Sequence, residues 1–366
     1  MYTWQVEFKL FLDGLSKGAG KPHRNPLPRR RHIAYLRGMP RVVTFGEIML
    51  RLNTPGHQRL SQATHFEAVF GGAEANVAVA LAQLGETAAF VSKLPQHELG
   101  QRALDELRHH GVDIAKVVRG GERLGLYFVE HGASQRASQV LYDRANSAFA
   151  LADPAEFNWP EILKGAEWLH WSGITPALST NCARLTAEAL SAAKKAGITV
   201  SFDLNYRAKL WSPEQAAKTL TPLMHDVDVC ICGTGEASAI FGLEAQTEEA
   251  MADALTRKFG FKTVMIPRRK AETADSTEFI GMLLTNGQVH RSTAHRITIV
   301  DRVGAGDAMT AGLIFALLRG SEAQRAIEFA VAAGVLKHTI PGDFALFSLS
   351  EVEALAGGKD GGRIRR

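Results

Sequence analysis

Cysteine is scarce in this chain: only Cys182, Cys230 and Cys232 occur among 366 residues. An odd, sparse set builds no disulfide framework. Cys230 and Cys232 sit in the apolar run Val227–Cys232, which reads as a buried strand rather than as half of a metal site. The expected compartment is a reducing cytoplasm. Long hydrophobic runs are missing too. The longest weakly charged stretch, Ala75–Leu84, falls far short of the roughly 20 apolar residues that span a bilayer, so no membrane partner is expected. No internal repeat or low-complexity tract is present. No G-x-G-x-x-G turn opens a βαβ unit near Gly46, which argues against a dinucleotide-dependent dehydrogenase.

Positive charge is lacking where it would matter for nucleic acid. The net charge is +4, but residues 1–38 hold eight Lys or Arg against two Asp or Glu, a local +6 that leaves −2 for the remainder. The basic character belongs to a tail, and no nucleic-acid surface is expected on the folded part. This tail has no clear hydrophobic period and carries a Pro-Arg-Arg-Arg run at 28–31. It also lacks the apolar core and cleavage site of a secretory signal. It reads as a disordered or mis-annotated N-terminal extension, with translation expected to begin at Met39. Residues 357–366 read as a flexible C-terminal tail.

What the chain does contain is a regular alternation. Apolar residues make up 46% of it, enough for a sizeable core. The strand Val42–Phe45 is followed by a helix over Ala73–Leu84, entered at Gly71-Gly72 and stopped by Gly85. Strands are then expected at Ala88–Val91, Trp168–Trp171, Ile198–Phe202, Val227–Cys232, Lys262–Ile266 and Phe279–Leu284. Helices are expected at Glu98–His110, Thr180–Ala196, Pro213–Met224, Ala305–Leu318 and Glu322–Leu336. Strand and helix in turn specify an α/β domain, a mostly parallel sheet between two layers of helices. Two segments break the rhythm. Leu124–Glu130 and Gln139–Tyr142 alternate as a hairpin does, and Leu50–Phe70 is too weakly helical for a βα unit. These segments, about 50–70 and 122–146, are expected to form a small β lid on a single domain spanning 39–356.

The chemistry concentrates in Asp301-Arg302-Val303-Gly304-Ala305-Gly306-Asp307, between an expected strand at Ile297–Val300 and the helix from Ala305. Small residues let backbone approach a ligand, and the first N–H groups of a helix lack internal partners. Together with the helix dipole, Gly304, Ala305 and Gly306 make an anion site suited to a transferring phosphoryl group. Asp307, in the first helical turn, is placed to take a proton from a substrate hydroxyl. On the turn alone, a helix cap and a tight bend would explain the same residues.

The turn resembles the C-terminal signature of the ribokinase-like, or PfkB-type, carbohydrate kinases, a D-T-x-G-A-G-D pattern leading into a helix. Only Arg302 departs from it. Gly71-Gly72-Ala73-Glu74-Ala75-Asn76-Val77-Ala78, followed by Leu84-Gly85, resembles the same family's N-terminal signature. The likeness runs from Met39 to Glu351 and implies a ribokinase-like three-layer α/β/α fold with ATP and Mg²⁺ as cofactors. Within the family the chain looks most like the 2-keto-3-deoxygluconate kinases. Leu126-Tyr127, Tyr142-x-Arg144, the run Ser172–Ser179, Asp203-Leu204-Asn205-Tyr206-Arg207 and Leu210-Trp211-Ser212-Pro213 carry that closer likeness.

The resemblance implies that Gly71, Gly72, Asn76, Tyr127, Tyr142, Arg144, Arg207 and Asp343 meet a sugar acid. It implies that Asn205 and the glycine turn meet ATP, and Arg268, in a segment that departs from the family pattern, is expected to serve the nucleotide phosphates. An arginine pair suits a carboxylate because each planar fork donates two parallel hydrogen bonds. The other readings are that Arg144 is a solvated lid residue, that Arg207 pairs with Asp203, and that the tyrosines only pack the hairpin. A neutral sugar such as fructose is the alternative substrate. Two departures stand out. Gly233 replaces the usual Asn ahead of Glu236, which is expected to organise Mg²⁺ through water. Pro267-Arg268-Arg269-Lys270-Ala271 replaces a Lys-x-Gly-x-x-Gly segment. They leave a catalytically silent nucleotide- or sugar-acid-binding regulator as a third reading. An exposed lid edge invites a lid-to-lid homodimer.

Overall fold

The computed structural model describes residues 40–358. The expected extension at 1–38, the start at Met39 and residues 359–366 of the expected tail lie outside the described residues. In chain order the strands and helices open with β1 (Val42–Phe45), β2 (Met49–Asn53), β3 (Glu67–Gly71) and α1 (Ala73–Gln83). Next come β4 (Ala88–Val91), β5 (Lys93–Leu94), α2 (Glu98–His109), β6 (Val118–Arg119), β7 (Leu126–Glu130) and β8 (Gln139–Asp143). The middle of the chain forms α3 (Trp159–Ile162), β9 (Trp168–Ser172), α4 (Ile174–Ala177), α5 (Thr180–Lys195), β10 (Thr199–Asp203) and α6 (Pro213–Leu220). Then follow β11 (Val229–Ile231), α7 (Thr234–Phe241), α8 (Glu248–Phe259), β12 (Thr263–Ala271), β13 (Ser276–Thr285), β14 (Gln288–Arg291) and β15 (His295–Thr298). The chain ends in α9 (Ala305–Leu318), α10 (Ala323–Lys337) and α11 (Leu349–Ala356).

The main sheet runs β14-β13-β12-β11-β10-β9-β1-β4, with β15 also on β13. Strands β4, β1, β9, β10, β11 and β12 are mutually parallel. The β12–β13, β13–β14 and β13–β15 pairs are antiparallel. Alternation along each parallel strand feeds two cores. Val42, Phe90 and Met265 pack with residues of α1, α9 and α10 on one face. Val43, Phe45, Trp171, Phe202 and Val264 pack with residues of α5, α6, α7 and α8 on the other. Cys182, Cys230 and Cys232 are all buried and free. This is the three-layer α/β/α arrangement expected from the sequence.

A second sheet, β3-β2-β7-β8, is the lid. Its two outer pairs are antiparallel, while the central β2–β7 pair is parallel and joins segments from distant parts of the chain. Strand β2 leaves β1 through only Gly46, Glu47 and Ile48, so the lid rises directly from the end of a main-sheet strand.

Several expected boundaries move: the strand expected at Ile297–Val300 is His295–Thr298, the helix expected over Pro213–Met224 ends at Leu220, and a third change bears on the site. Sequence places a short strand at Lys262–Ile266 and a loop from Pro267, whereas β12 continues to Ala271. Proline removes a ladder donor and is tolerated where a strand edge is unpaired. Strand β11 stops opposite Met265, so that edge of β12 is already open at Pro267, and β13 holds the other edge through Ala271↔Thr277.

Candidate active site

The parallel strands end on a cavity of about 740 Å³ between the main sheet and the lid. Ligand sites of open α/β sheets gather at such carboxyl ends. Glu47 follows β1, Asp203 ends β10, and Cys232, Gly233 and Glu236 follow β11; all line the cavity. From the lid come Met49, Tyr127, Val140, Tyr142 and Arg144, and from the other side Arg302, Gly304, Gly306 and Asp307.

Two glycines are required by space. Gly304 caps α9 at φ +84°, and a Cβ there would lie 2.1 Å from the Asp343 carbonyl oxygen. A Cβ on Gly72 would lie 2.0 Å from the Glu47 carbonyl oxygen. Both backbones therefore pack against a neighbouring carbonyl more closely than any side chain permits. The N–H of Ala305 turns back to the Arg302 carbonyl oxygen at 3.3 Å. Ala305 is itself fully buried, which leaves Gly304 and Gly306 as the expected anion donors that line the cavity.

Asp307 accepts a hydrogen bond of 2.7 Å from the Asn76 side-chain amide. Burial raises its pKa to about 6 against the opposing effect of that bond; the Asp343 charge pushes it up further, while Arg207 and Arg269 pull it down. A base with such a value is deprotonated at neutral pH yet still has affinity for a proton. Two further carboxyls share the neighbourhood. Asp203 is raised to about 8 by burial and by the charges of Asp307 and Glu236. Glu74 is raised to about 7 by burial, although it accepts hydrogen bonds from Ser172 and Thr175.

Asp343 does more than close the cavity. It accepts from Arg51 Nη1 at 2.6 Å and from the Tyr127 hydroxyl at 2.5 Å. Arg51 is fully buried and also donates to Asp301 at 2.7 Å. Asp301 in turn accepts from the N–H groups of Val303 and Gly342, both at 3.0 Å. One lid arginine thereby ties together the start of the anion turn and the 341–343 loop. Gly71 stands behind this network, where a Cβ would lie 2.0 Å from Asp343 Oδ2, rather than on the cavity wall. The Tyr127 and Tyr142 rings stack at 5.7 Å, so the tyrosines both pack the lid and face the cavity.

The arginines divide into two kinds. Arg144 is buried and bonds Glu47 through Nε and Nη2, and Ser147 adds its hydroxyl to the same carboxylate. It is a paired residue of the cavity wall, not a solvated lid residue. Arg207 lies in the cavity with Nη1 donating to the carbonyl oxygens of Asn205 and Tyr206, at 3.3 and 3.1 Å. Among the described residues it forms no ion pair with Asp203 or any other carboxylate. Asn205, at φ +40°, sits in the same wall.

Arg268 is the residue that sequence misplaces. It is exposed, lies 3.5 Å from Glu248, and does not line the cavity. Successive strand residues point to opposite faces. The extension of β12 therefore sends Arg268 away and brings Pro267 and Arg269 to the cavity. Sequence reasoning also misses Arg51 and the cavity role of Glu47, which no local pattern distinguishes.

Among the described residues, no group of three or more His, Cys, Asp or Glu side chains is arranged to hold a metal ion. Glu236 accepts from the Gly233 N–H at 3.3 Å and faces the cavity near Asp203. Carboxylates this sparse fit a Mg²⁺ ion held chiefly by water and phosphate oxygens.

The pattern of the pfkB family of carbohydrate kinases matches residues 39–344. The chain belongs to that family. Within it, the chain is 37% identical over 321 residues to a 2-dehydro-3-deoxygalactonokinase of Haloferax volcanii, covering 88% of this chain and 98% of the relative. It is 33% identical to a 2-dehydro-3-deoxygluconokinase of Bacillus subtilis, covering 82% and 90%. Among solved structures, a 2-dehydro-3-deoxygluconokinase of Thermotoga maritima superposes with a TM-score of 0.86 at 47% identity, covering 87% of this chain and all of that one. The ribokinase-like fold and a carbohydrate-kinase activity follow from family membership. No helix among the described residues is long and apolar enough to cross a membrane.

Proposed function

We propose that the protein transfers the γ-phosphoryl group of ATP to the 6-hydroxyl of 2-keto-3-deoxygluconate. The observation that carries the substrate class is the position of Arg207, a cavity-lining guanidinium without a carboxylate partner among the described residues. A sugar acid supplies that partner, and a neutral sugar such as fructose does not. The relatives acting on 2-dehydro-3-deoxy sugar acids support the same choice. Because one of them is a galactonokinase, the epimer at C4 is the second substrate to test.

Asp307 takes the proton of the 6-hydroxyl as that oxygen bonds to the γ-phosphorus. The bond from the γ-phosphorus to the β,γ-bridging oxygen breaks, and ADP leaves. Gly304 and Gly306 N–H groups, at the positive end of α9, hold the charge on the transferring group. Asn76 fixes the Asp307 carboxylate. Asn205 is assigned to the nucleotide, and Gly72, Tyr127 and Tyr142 to the sugar acid. When bound, Mg²⁺ neutralises phosphate charge, with Glu236 in reach through water. The lid excludes water that would otherwise hydrolyse the nucleotide.

The lid also carries the row Leu52–Phe128–Leu141 across three strands, with Phe66 and Leu141 exposed. A second copy of this chain covering that row fits a homodimer, to be tested by gel filtration. The function itself is tested by an ADP-release assay with 2-keto-3-deoxygluconate, its C4 epimer and fructose. Turnover of the first or second, well above fructose, is expected. ADP release with none of them would favour the silent regulator.

A further inference from the structure

Arg269 occupies a stretch where the family resemblance leads one to expect glycines and a lysine, and its environment is unusual. Its side chain lines the cavity. A Cβ built on Gly306 would lie 3.4 Å from Arg269 Nη2, with no other heavy atom as near. The guanidinium therefore stands directly over the first turn of α9, beside the amides that face an anion. Among the described residues Arg269 makes no ion pair or side-chain hydrogen bond. Arg269 is exposed, and the charge that favours its guanidinium most is that of Asp307.

The side chain also has an aromatic neighbour. Arg269 lies directly opposite Phe279 in the β12–β13 ladder, and its guanidinium carbon is 5.4 Å from the Phe279 ring centroid. Phe279 is fully buried and packed edge-on against His338. A guanidinium lying over an aromatic face keeps the N–H donors in its own plane free for a ligand. An unpaired cation, pre-positioned at a helix N-terminus beside the catalytic carboxylate, has the properties of a group that binds phosphate oxygens during transfer.

We propose that Arg269 is a catalytic residue that contacts the oxygens of the transferring phosphoryl group, working with the Gly304 and Gly306 amides. This rests on the kinase reading above. It adds a phosphate contact from β12 that Arg268, on the opposite face, does not provide.

The test compares Arg269→Ala, Arg269→Lys, Phe279→Leu and Arg268→Ala. For Arg269→Ala, kcat is expected to fall by about 10²-fold or more, the scale of a lost transition-state donor, while the sugar-acid KM changes little. Guanidinium ion added to the assay should restore part of that loss, and Arg269→Lys should retain part of the activity. Phe279→Leu should lower kcat less than Arg269→Ala does, and Arg268→Ala should remain close to the parent. Unchanged kcat in Arg269→Ala, or a loss that neither guanidinium ion nor lysine relieves, would overturn the assignment. Titration of ADP and ATP without sugar separates this claim from the substrate reading. If no sugar acid is turned over but Arg269→Ala weakens ATP more than ADP, the contact stands and only the substrate falls. Equal affinity of parent and variant for ATP, together with equal turnover, sinks the contact itself.

Discussion

The Asn76 side-chain amide donates to Asp307 Oδ2 across 2.7 Å, joining residues 231 positions apart in the chain. Each stands in the first turn of its own helix, Asn76 in α1 and Asp307 in α9. The two family signatures thus meet in one hydrogen bond, and the carboxylate proposed as the base is held by the N-terminal one.

Replacing Asp307 by Asn should leave the fold and sugar-acid affinity intact while kcat falls by roughly 10²–10⁴, the usual scale for a lost general base. In the parent, kcat/KM should rise with pH and reach half its plateau near pH 6, since the base must be unprotonated and its pKa is about 6. Asn76→Asp puts a like charge beside it and should move that midpoint upward. A pH–rate profile of both proteins checks the shift.

Stability should also depend on pH, in the opposite sense to the activity. Burial raises Glu74 to about 7 and Asp203 to about 8. Above the unfolded carboxyl pKa the native state then binds more protons than the unfolded state, so ΔG of unfolding falls as pH rises. Their stabilisation is complete below about pH 4 and is lost as pH passes through 7 and 8. The thermal midpoint of the ligand-free protein should drop between about pH 5 and pH 8, and Glu74→Gln with Asp203→Asn should flatten that slope.

Arg51→Met removes the shared partner of Asp301 and Asp343, two buried carboxylates. Breaking a buried pair leaves uncompensated charge, and about 3–5 kcal/mol of stability should be lost. Urea denaturation measures it. A loss under 1 kcal/mol would show that the network is dispensable.

Arg207 and Arg144 should separate by phenotype. Arg207→Ala should weaken the sugar acid by roughly 10- to 100-fold, a charged hydrogen bond's worth, with little effect on a neutral analogue or on stability. Arg144→Ala exposes the buried Glu47 carboxylate to an unpaired state and should lower stability by about 3–5 kcal/mol. Calorimetric binding and thermal melts on the two variants distinguish these outcomes.

Much of this architecture is legible because its causes are local. Val42–Phe45 and Ala88–Val91 are short apolar runs bounded by turns, and α9 begins where a Gly-Ala-Gly turn meets an apolar run. The anion turn and Asp307 are readable for the same reason. Arg51 is not, because its partners lie 250 and 292 positions away and nothing in Met49–Asn53 marks it. Arg269 is hidden by Pro267, which reads as the end of a strand. Only the early stop of β11 reveals that the pleat continues and selects one arginine over its neighbour. The Arg144–Glu47 pair is hidden in the same way, since a lone arginine in a hairpin gives no sign of a carboxylate 97 residues before it.

The β2 and β7 strands run in the same direction at the centre of the lid. Parallel neighbours cannot be linked by a tight bend, and here the connecting chain forms β3 and then α1, β4, β5, α2 and β6. The lid is therefore discontinuous in the sequence, and a single deletion that removes both β2 and β7 also removes α1, β4 and α2. A chain cut between β3 and β7 leaves β2 and β7 on separate fragments, each with an unpaired inner edge until the two reassociate.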